Sequence, residues 1–356
     1  MKNSLLFLVA LISISCTNYP KANKTETATS TAIVEQKIIY PTDHFNKGEV
    51  IASVNLRSDT SQKFALYLPK NYSDSIKFPV IIFFDPHSKG TIPLNLYKDL
   101  AEKNNFILIS SNSSKNGLDA KSTKNIAYNL IEETKNRFNV DLTKITLCGF
   151  SGGAKVALMN GSLNNDVSTI IYCGAAVQIQ PTHQINLFGF AGKKDMNYTD
   201  LVIFERSLIN VPYKHFLVDW KGKHEFPTAD VFKDAFYYLQ TGKIENYESK
   251  QSTISQQKID EEQSYKQKYI DAFQTKELSW WNEEIKSLNS NKNKDVMFER
   301  LLGFISLACY SISNNSLQQN DLAVAEKTLI IYKMADPENE TMKEFTAELI
   351  KRKSKH

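Results

Sequence analysis

Cysteine is scarce in this sequence: the 356 residues include only four, at positions 16, 148, 173 and 309. Cys16 belongs to an N-terminal apolar segment, and the other three have no close spacing. Disulfide frameworks and zinc sites need paired or closely spaced cysteines, so the sequence favours neither. Cys148 and Cys173 each end a short apolar run, and we expect both to be buried free thiols that pack as small apolar side chains.

The excess of positive over negative side chains is also small. Lys and Arg number 43 and Asp and Glu 39, which gives a formal net charge of +4 without a long basic block. Proteins that bind nucleic acids usually carry a strongly basic surface, so we predict no nucleic-acid partner. The sequence also has no HExxH, no P-loop and no paired-cysteine metal motif, and we therefore predict no bound metal and no bound nucleotide.

One apolar run near the N terminus is typical of a secretory signal. Lys2 precedes the run Leu5–Ile14, which is too short to span a bilayer because a spanning helix needs about 20 residues. The run ends at Ser13-Ile14-Ser15-Cys16, which resembles a bacterial lipoprotein signal, although Ser13 stands where that pattern prefers Leu. The resemblance implies cleavage before Cys16 and a lipid on that residue; an ordinary signal peptide is the alternative.

Composition divides the chain into four parts. Residues 1–15 are the predicted signal peptide, and residues 16–36, rich in Thr, Lys, Ala and Asn, are a predicted flexible tether. Residues 37–243 alternate strand and helix patterns, and residues 244–356 have helical patterns only. With a lipid on Cys16, we expect the protein in a bacterial cell envelope, anchored to a membrane and facing the periplasm or the cell surface.

The part from 37 to 243 contains a series of short apolar runs, most of them bounded by Gly, Pro, Asp or Asn. Such runs are typical of parallel strands whose two faces are covered by helices. Between them, every fourth residue from Ile126 to Phe138 fits one stripe of a helix. This alternation predicts an α/β fold with a doubly wound, mostly parallel sheet. Phe64, Leu66 and Leu68 also alternate with Ala65, Tyr67 and Pro69, as they would in a strand. The runs are Val80–Phe84, Phe106–Ser110, Ile145–Cys148, Thr169–Cys173, Leu187–Phe190 and His215–Val218.

Residues 244–356 contain one glycine, one proline and apolar residues at helical spacing, which predicts an all-α region. The last stretch resembles a tetratricopeptide repeat over one helix pair, although Tyr332 stands where that family usually has Ala. Such a pair cannot bury its apolar face alone, so it must stack on neighbouring helices or on the preceding domain, and it offers a surface for a protein partner. The resemblance depends on Asn320, Asp321, Leu322, Ala325 and the pair Asp336-Pro337.

The strongest signal for chemistry is the segment Gly149–Gly153, with the sequence Gly-Phe-Ser-Gly-Gly. It directly follows the run Ile145–Cys148 and precedes a helical segment, Ala154–Asn160, which is the strand–turn–helix context of a nucleophile elbow. The turn is so sharp that Cβ atoms on its first and last residues would collide. Ser151 is therefore the predicted nucleophile; a glycine-rich turn without chemistry is the alternative.

A serine hydroxyl needs an adjacent base, and a carboxylate must orient that base. In this context the chain order is Ser, then acid, then His. His224 is the predicted base because it lies in a turn, Lys221–Pro227, between the last predicted strand and a helix. His215 lies within that strand, and His183 precedes any plausible acid loop.

The acid should follow the penultimate strand, Leu187–Phe190. Asp195 is the first carboxylate after that strand and is the predicted acid; an Asp that caps the following helix is the alternative. Asp200 is expected inside the helix. Asp219 ends the strand that leads to His224, and it is badly placed to reach that histidine.

Acyl transfer also needs two N–H donors aimed at the developing oxyanion. Gly152, the residue after the nucleophile, is expected to supply one. The second should come from the loop after Phe84, and because Pro86 has no N–H, we assign it to the backbone of His87. The His87 imidazole is expected to be structural or to face the substrate.

On these residues, positions 37–243 resemble the α/β-hydrolase superfamily, specifically its lidless esterases related to polyhydroxybutyrate depolymerases and to feruloyl or acetyl-xylan esterases. The shared features are the elbow at Ser151, the loop residue Asp195, and His224 two residues before Phe226-Pro227. The resemblance implies hydrolysis of a carboxylic ester, either small or carried by an exposed polymer. It further implies an acyl-enzyme intermediate and no cofactor.

Two alternatives stay open at this point. One is a serine peptidase of the same fold, and the other is a non-catalytic lipoprotein that binds a partner through residues 244–356. Asp85-Pro86 stands where many hydrolases have His-Gly, which leaves the subfamily undecided. Only a short segment separates Thr169–Cys173 from Leu187–Phe190, where lids are usually inserted, so we expect an open site.

Overall fold

The computed structural model describes residues 44–354, and the first part of them forms an eight-stranded sheet. The predicted signal peptide, the tether and Cys16 lie outside the described residues. The strands are β1 (Val50–Asn55), β2 (Lys63–Tyr67), β3 (Phe78–Phe84), β4 (Ile107–Ser111), β5 (Val140–Phe150), β6 (Val167–Cys173), β7 (Asn186–Gly192) and β8 (His215–Trp220).

The order across the sheet is β1-β2-β4-β3-β5-β6-β7-β8. β2 runs antiparallel to β1 and β4, and the strands from β4 onward in this order are parallel. Ile82 of β3 lies between Ile109 of β4 and Leu147 of β5, and all three are fully buried. The inner strands are continuous apolar runs because both of their faces are covered.

Helices cover the sheet on both sides. They are α1 (Thr91–Asn104), α2 (Ala120–Arg137), α3 (Gly152–Gly161), α4 (Tyr198–Ser207) and α5 (Ala229–Thr241). Alternate residues of β3 belong to two different apolar cores, one shared with α2, α3 and α4 and the other with α1 and α5. The fold is therefore the doubly wound, mostly parallel α/β sheet that the sequence predicts.

The connection between β6 and β7, residues 174–185, contains no helix or strand. This is the position where the sequence predicts that no lid is inserted. The structure confirms a short loop there. The end of β6 and the loop after β7 therefore meet without an inserted helical layer above them.

The remaining described chain is helical, as predicted. Several polar residues start these helices by accepting a hydrogen bond from a backbone N–H, and they are Ser255, Asp295, Asp321 and Asn339. The helices share a third apolar core. After a 3₁₀ turn at Tyr247–Lys250 come α6 (Gln256–Thr275), α7 (Leu278–Asn291), α8 (Val296–Gln318), α9 (Leu322–Ala335) and α10 (Glu340–Lys353). The likeness of α9 and α10 to a tetratricopeptide repeat stays a prediction.

Among the described helices, α8 is long and apolar enough to cross a membrane by length and composition alone. Its 23 residues have a mean hydropathy of 1.4 in the most apolar window, and 56% of that window is buried inside the protein. Leu301, Ile305 and Cys309 follow one stripe and are fully buried among neighbouring helices. The apolar character of α8 is accounted for by its place in the third core.

A buried ionic cluster attaches the helical region to the sheet domain. Glu262 of α6 is fully buried and lies 2.6 Å, Oε2 to Nη2, from Arg300 of α8. The Thr199 hydroxyl of α4 donates to Glu262 at 3.1 Å, and Lys266 pairs with Asp200 at 3.0 Å. Buried charges are costly without partners, so this cluster holds α6 and α8 against α4 in one arrangement.

Two strands differ from the sequence prediction. The apolar runs miss β1, because most of its residues are partly or fully exposed at the edge of the sheet. β5 begins at Val140, well before the run Ile145–Cys148 that predicts it, because residues 141–144 extend beyond the buried sheet and are not apolar as a group. Both differences concern the rim of the sheet and leave the site unchanged.

Candidate active site

Ser151 occupies a strained turn between β5 and α3. Its backbone angles are φ 52° and ψ −121°, a conformation that residues other than glycine rarely adopt. The Ser151 N–H donates to the carbonyl of Cys173 at the end of β6, with a distance of 2.9 Å. The turn is thereby tied to the neighbouring strand, and it presents the half-buried Ser151 side chain above the end of the sheet.

The glycines of this segment are required by close backbone contacts. A Cβ atom on Gly149 would lie 2.0 Å from the carbonyl oxygen of Gly153, and one on Gly153 would lie 1.9 Å from that of Phe84. Neither neighbour is the end of a flexible side chain, so neither contact can be relieved cheaply. The turn therefore requires both glycines, as predicted, but each Cβ atom would meet a backbone carbonyl and not the other Cβ atom.

The loop after β8 brings His224 to Ser151, the predicted nucleophile. Nε2 of His224 lies 2.9 Å from Oγ of Ser151, and Nδ1 lies 2.9 and 3.0 Å from the two carboxylate oxygens of Asp195. A carboxylate accepts only, so Nδ1 carries the hydrogen and Nε2 is left to accept the proton of Ser151. This tautomer is the one that a general base for the hydroxyl requires.

Asp195 is fully buried in the loop after β7. The backbone N–H of Asn197 donates to Asp195 Oδ1 at 2.8 Å, and the N–H of Asp195 itself donates to Gly192 at 2.9 Å. These bonds fix both the loop and its carboxylate. The acid that the sequence places here is therefore held with its oxygens toward His224.

Two backbone hydrogen bonds join the loop that carries the acid, residues 193–197, to the last residue of β8 and to the loop that carries the histidine, residues 221–227. Lys193 N–H donates to the carbonyl of Trp220 at 2.8 Å, and Lys194 N–H donates to that of Gly222 at 2.9 Å. We call these the acid loop and the histidine loop. Because the two segments are bonded directly, a displacement of one is transmitted to the other.

Aromatic side chains support the imidazole. The ring of Phe150, the residue before the nucleophile, lies 4.7 Å from that of His224, and it also packs on Phe226 with centroids 5.1 Å apart. Sequence reasoning treats Phe150 as a spacer in the motif. The structure shows that its ring packs against the imidazole of His224.

The other candidates considered in the sequence lie away from Ser151. His183 bonds to the carbonyl of Val167, and His215 pairs with Glu205 at 2.7 Å. The carboxylate of Asp219 accepts from the Tyr198 hydroxyl at 2.8 Å, and burial raises the pKa of Asp219 above its usual value. Among the described residues none of these three contacts Ser151, in agreement with the sequence argument.

The backbone of His87 does not have the free donor that the sequence predicts. Its N–H donates to Oδ1 of Asp85 at 2.8 Å, and the N–H of Lys89 donates to the same oxygen at 3.0 Å. An aspartate in such a turn commonly satisfies backbone donors a few residues on. The assignment of His87 as the second oxyanion donor is therefore corrected, because Asp85 already occupies that N–H.

The loop after β4 supplies a residue that sequence reasoning missed. A Cβ atom on Gly152 would lie 1.8 Å from Oδ1 of Asn116, and the three atoms nearest to that point all belong to the Asn116 side chain. The N–H of Asn116 donates to the carbonyl of Pro86 at 2.9 Å, which holds the loop against the one after β3. The side-chain amide of Asn116 therefore lies directly beside the predicted donor Gly152. The two residues are far apart in sequence, so no local pattern reveals this contact.

The cysteines of the sheet are free and buried, as expected. Burial raises the pKa of the Cys148 thiol well above its usual value, so the reactive thiolate is disfavoured. Within residues 44–354, no group of three or more His, Cys, Asp or Glu side chains is placed to hold a metal ion.

No family model and no curated protein matches the sequence. Among solved structures, a hyperthermophilic esterase from the archaeon Pyrobaculum calidifontis is similar with a TM-score of 0.45 and 10% identity, over 55% of this chain and 87% of that one. A structure from a study of two esterases of the fungus Rhizomucor miehei has a TM-score of 0.44 and 14% identity, over 54% of this chain and 83% of that one. Dipeptidyl peptidase 4 of Porphyromonas gingivalis has a TM-score of 0.42 and 14% identity, over 54% of this chain and 35% of that one.

With TM-scores below 0.5, these likenesses do not decide between an esterase and a peptidase. The fold class follows from the strand order and the element order of this chain. The strand order, the elbow after β5, and the acid and histidine loops after β7 and β8 define the α/β-hydrolase architecture that the sequence predicts.

Proposed function

We propose that this protein is a serine hydrolase that cleaves a carboxylic ester through an acyl-enzyme intermediate. The observation that carries the proposal is one imidazole bridging two groups: His224 lies 2.9 Å from Ser151 on one side and 2.9 Å from Asp195 on the other. A nucleophile within reach of a base, and a base within reach of a buried carboxylate, is the arrangement that activates a hydroxyl at neutral pH.

In the proposed acylation step, Ser151 Oγ attacks the ester carbonyl and its proton passes to His224 Nε2. The imidazolium that forms is stabilised by Asp195, whose carboxylate stays ionised. When the tetrahedral intermediate collapses, the bond to the alcohol oxygen breaks and Nε2 returns the proton to the leaving alcohol. Ser151 is left as an ester of the acyl group.

Deacylation repeats the sequence with water as the nucleophile. His224 takes a proton from the water, the hydroxide attacks the acyl carbonyl, and Ser151 leaves with the proton returned from Nε2. The net reaction is an ester plus water giving an acid plus an alcohol. No group other than those of this chain, the substrate and water is needed for the balance.

Each tetrahedral intermediate carries a negative oxygen that needs two donors. The Gly152 N–H at the start of α3 is the first that we propose. For the second we propose the Asn116 side-chain amide, since it stands against Gly152 and the His87 N–H is occupied. A half-turn of the amide exchanges its oxygen and nitrogen, which turns the nearer atom from an acceptor into a donor.

An open site supports an ester that is small or carried on an exposed polymer. The loop 174–185 adds no cover, and both Asn116 and Lys223 are exposed beside the triad. The purified protein should therefore hydrolyse some members of a panel of p-nitrophenyl esters, feruloyl esters and acetylated sugars. Peptide p-nitroanilides in the same panel test the peptidase alternative.

Ser151→Ala is the control for this panel. It should retain the wild-type melting temperature and lose activity, because removal of a triad serine costs on the order of 10⁶ in kcat. Cleavage of anilides in preference to every ester would replace esterase by peptidase. An activity that survives in Ser151→Ala would remove Ser151 from the mechanism.

We further propose that the mature protein is attached to a membrane of a bacterial cell envelope by a lipid on Cys16. The support is the sequence Ser13-Ile14-Ser15-Cys16 after the apolar run Leu5–Ile14. Expression with and without Cys16→Ser tests the proposal by fractionation. The parent should be in the membrane fraction and the variant should be released; a variant that stays entirely with membranes would require another anchor.

A further inference from the structure

The first turns of α8 lie against the acid loop. Nη1 of Arg300 donates to the backbone oxygen of Lys193 at 2.9 Å, two residues before Asp195. Arg300 is itself held by Glu262, with Nε 3.0 Å and Nη2 2.6 Å from Oε2, and both side chains are buried. A guanidinium fixed in two places is a rigid donor, so the position of Lys193 is set by the helical region.

The preceding residue of α8 reaches both loops at once. The carboxylate of Glu299 lies 3.0 Å from Nζ of Lys194 and 3.7 Å from Nζ of Lys223. Lys194 is the chain neighbour of Asp195, and Lys223 is the chain neighbour of His224. One carboxylate therefore bridges the residues that precede the acid and the base.

The acid loop is also packed on the same helix. A Cβ atom on Gly303 of α8 would lie 3.4 Å from Cβ of Met196, which follows Asp195 in the chain. The Met196 side chain packs on the third apolar core, not on the two cores of the sheet. The acid loop is therefore in contact with α8 on both sides of Asp195, through Lys193 and Lys194 before it and Met196 after it.

We propose that Glu299 and Arg300 are positioning residues for the triad, so that the C-terminal helical region completes the active site of the hydrolase domain. This inference rests on the function proposed above. Neither residue touches Ser151; each acts through the loop that holds Asp195 or His224.

The contacts of Glu299, which are partly exposed, predict more effect on turnover than on stability. Exposed and partly exposed ion pairs contribute only about 0–1 kcal/mol to folding. A catalytic group displaced by about 1 Å can cost on the order of 10² in rate. Loosening the two loops should therefore lower the fraction of molecules in which His224 is aligned, while the surface that binds the ester is unchanged.

Glu299→Gln tests the bridge, with Glu326→Gln as its matched control. Glu326 lies in the same helical region and pairs with Lys353 at 2.6 Å, so the control also removes one ion pair, away from both loops. We expect kcat of Glu299→Gln to fall about tenfold with KM within about twofold and nearly the same melting temperature as the control. Glu326→Gln should retain the wild-type kcat.

Lys194→Gln provides a second route to the same contact, from an exposed side chain whose substitution is safe for folding. If both residues act through one ion pair, the double variant Lys194→Gln/Glu299→Gln should be no slower than the slower single variant. A double variant whose losses multiply would show two separate effects and contradict the bridge.

A spectroscopic readout separates positioning from stability. The Nδ1 proton of His224, bonded to Asp195, should give a resolved far-downfield NMR signal in the wild type and in Glu326→Gln. In Glu299→Gln we expect the signal to broaden by exchange with water. A sharp signal with unchanged kcat in that variant refutes the positioning role, even if the ester activity of the wild type is secure.

The two proposals fail differently. A well-folded wild type that hydrolyses no ester or anilide refutes the proposed function. A wild type that is active, with Glu299→Gln and Lys194→Gln indistinguishable from Glu326→Gln in kcat, refutes only the contribution of α8.

Discussion

His224 Nδ1 lies 2.9 Å from the Oδ1 atom of Asp195, and this contact joins the loops after two neighbouring parallel strands. Parallel strands end at the same edge of the sheet, so β7 and β8 deliver acid and base side by side. The contact selects one tautomer of the imidazole. It also explains why the fully buried carboxylate of Asp195 is tolerated.

Asp195→Asn should leave the fold intact and lower kcat on an ester by on the order of 10⁴. The amide can donate to Nδ1, which favours the tautomer with the hydrogen on Nε2 and removes the acceptor that Ser151 needs. Steady-state kinetics and a melting curve measure the two effects. Activity within tenfold of the wild type would show that Asp195 does not orient His224.

Asn116→Ala tests the second oxyanion donor. Loss of one such donor costs about 10²–10³ in kcat, and little of the loss should appear in KM because the donor acts on charge that develops during the reaction. Asn116→Asp should be slower still, since a carboxylate beside Gly152 would repel the oxyanion. If both variants keep the wild-type kcat, the donor is another group.

Gly153→Ala should destabilise the fold severely, by about 3 kcal/mol or more, because its Cβ would lie 1.9 Å from the carbonyl of Phe84. Gly303→Ala is the control: its Cβ meets Met196 at an ordinary 3.4 Å, and alanine is favoured within a helix by about 1 kcal/mol. Urea unfolding measures both. Equal stabilities for the two variants would contradict the geometry of the elbow.

Asp219→Asn should make the stability less dependent on pH. Burial raises the pKa of Asp219, so the folded state binds a proton more tightly than the unfolded state does. The free energy of unfolding is therefore highest at pH values below the pKa that Asp219 has in the unfolded chain. It falls as the pH rises through the higher pKa that Asp219 has in the folded protein. The asparagine variant avoids this loss, so it should be more stable than the wild type at pH 7.

Unfolding in urea from pH 4.5 to pH 7.5 measures this difference. The advantage of Asp219→Asn over the wild type should shrink toward the acid end. Asp230→Asn is the control, because Asp230 is fully exposed and its pKa is lowered by the hydrogen bond from Lys233. An advantage for Asp219→Asn that is constant over the range would show that its charge is not the cause.

Much of the sheet, and the approach of Ser151, Asp195 and His224 to one another, could be predicted from sequence for local reasons. Buried parallel strands are continuous apolar runs, and the elbow has its glycines at fixed positions around Ser151. Once the chain order of the strands is known, Asp195 and His224 are limited to two loops. β1 is missed because an exposed edge strand lacks such a run.

The rest of the site depends on contacts between distant segments. His87 fails as a donor because the Asp85 side chain turns back onto its N–H, a choice of side-chain conformation that the sequence leaves open. Asn116 meets Gly152 only when the loops of the sheet domain have packed together. Glu299 meets Lys223 only when the helical region has packed against that domain. Neither contact has a local pattern.

The most direct test of the central claim is covalent labelling of Ser151. The purified wild-type protein is incubated with a fluorophosphonate, its intact mass is measured, and the modified peptide is sequenced by mass spectrometry. We expect one adduct per chain, located on Ser151, no adduct in Ser151→Ala, and strongly slowed labelling in His224→Ala. An adduct on another residue, or an unlabelled wild type that still hydrolyses esters, would contradict the account.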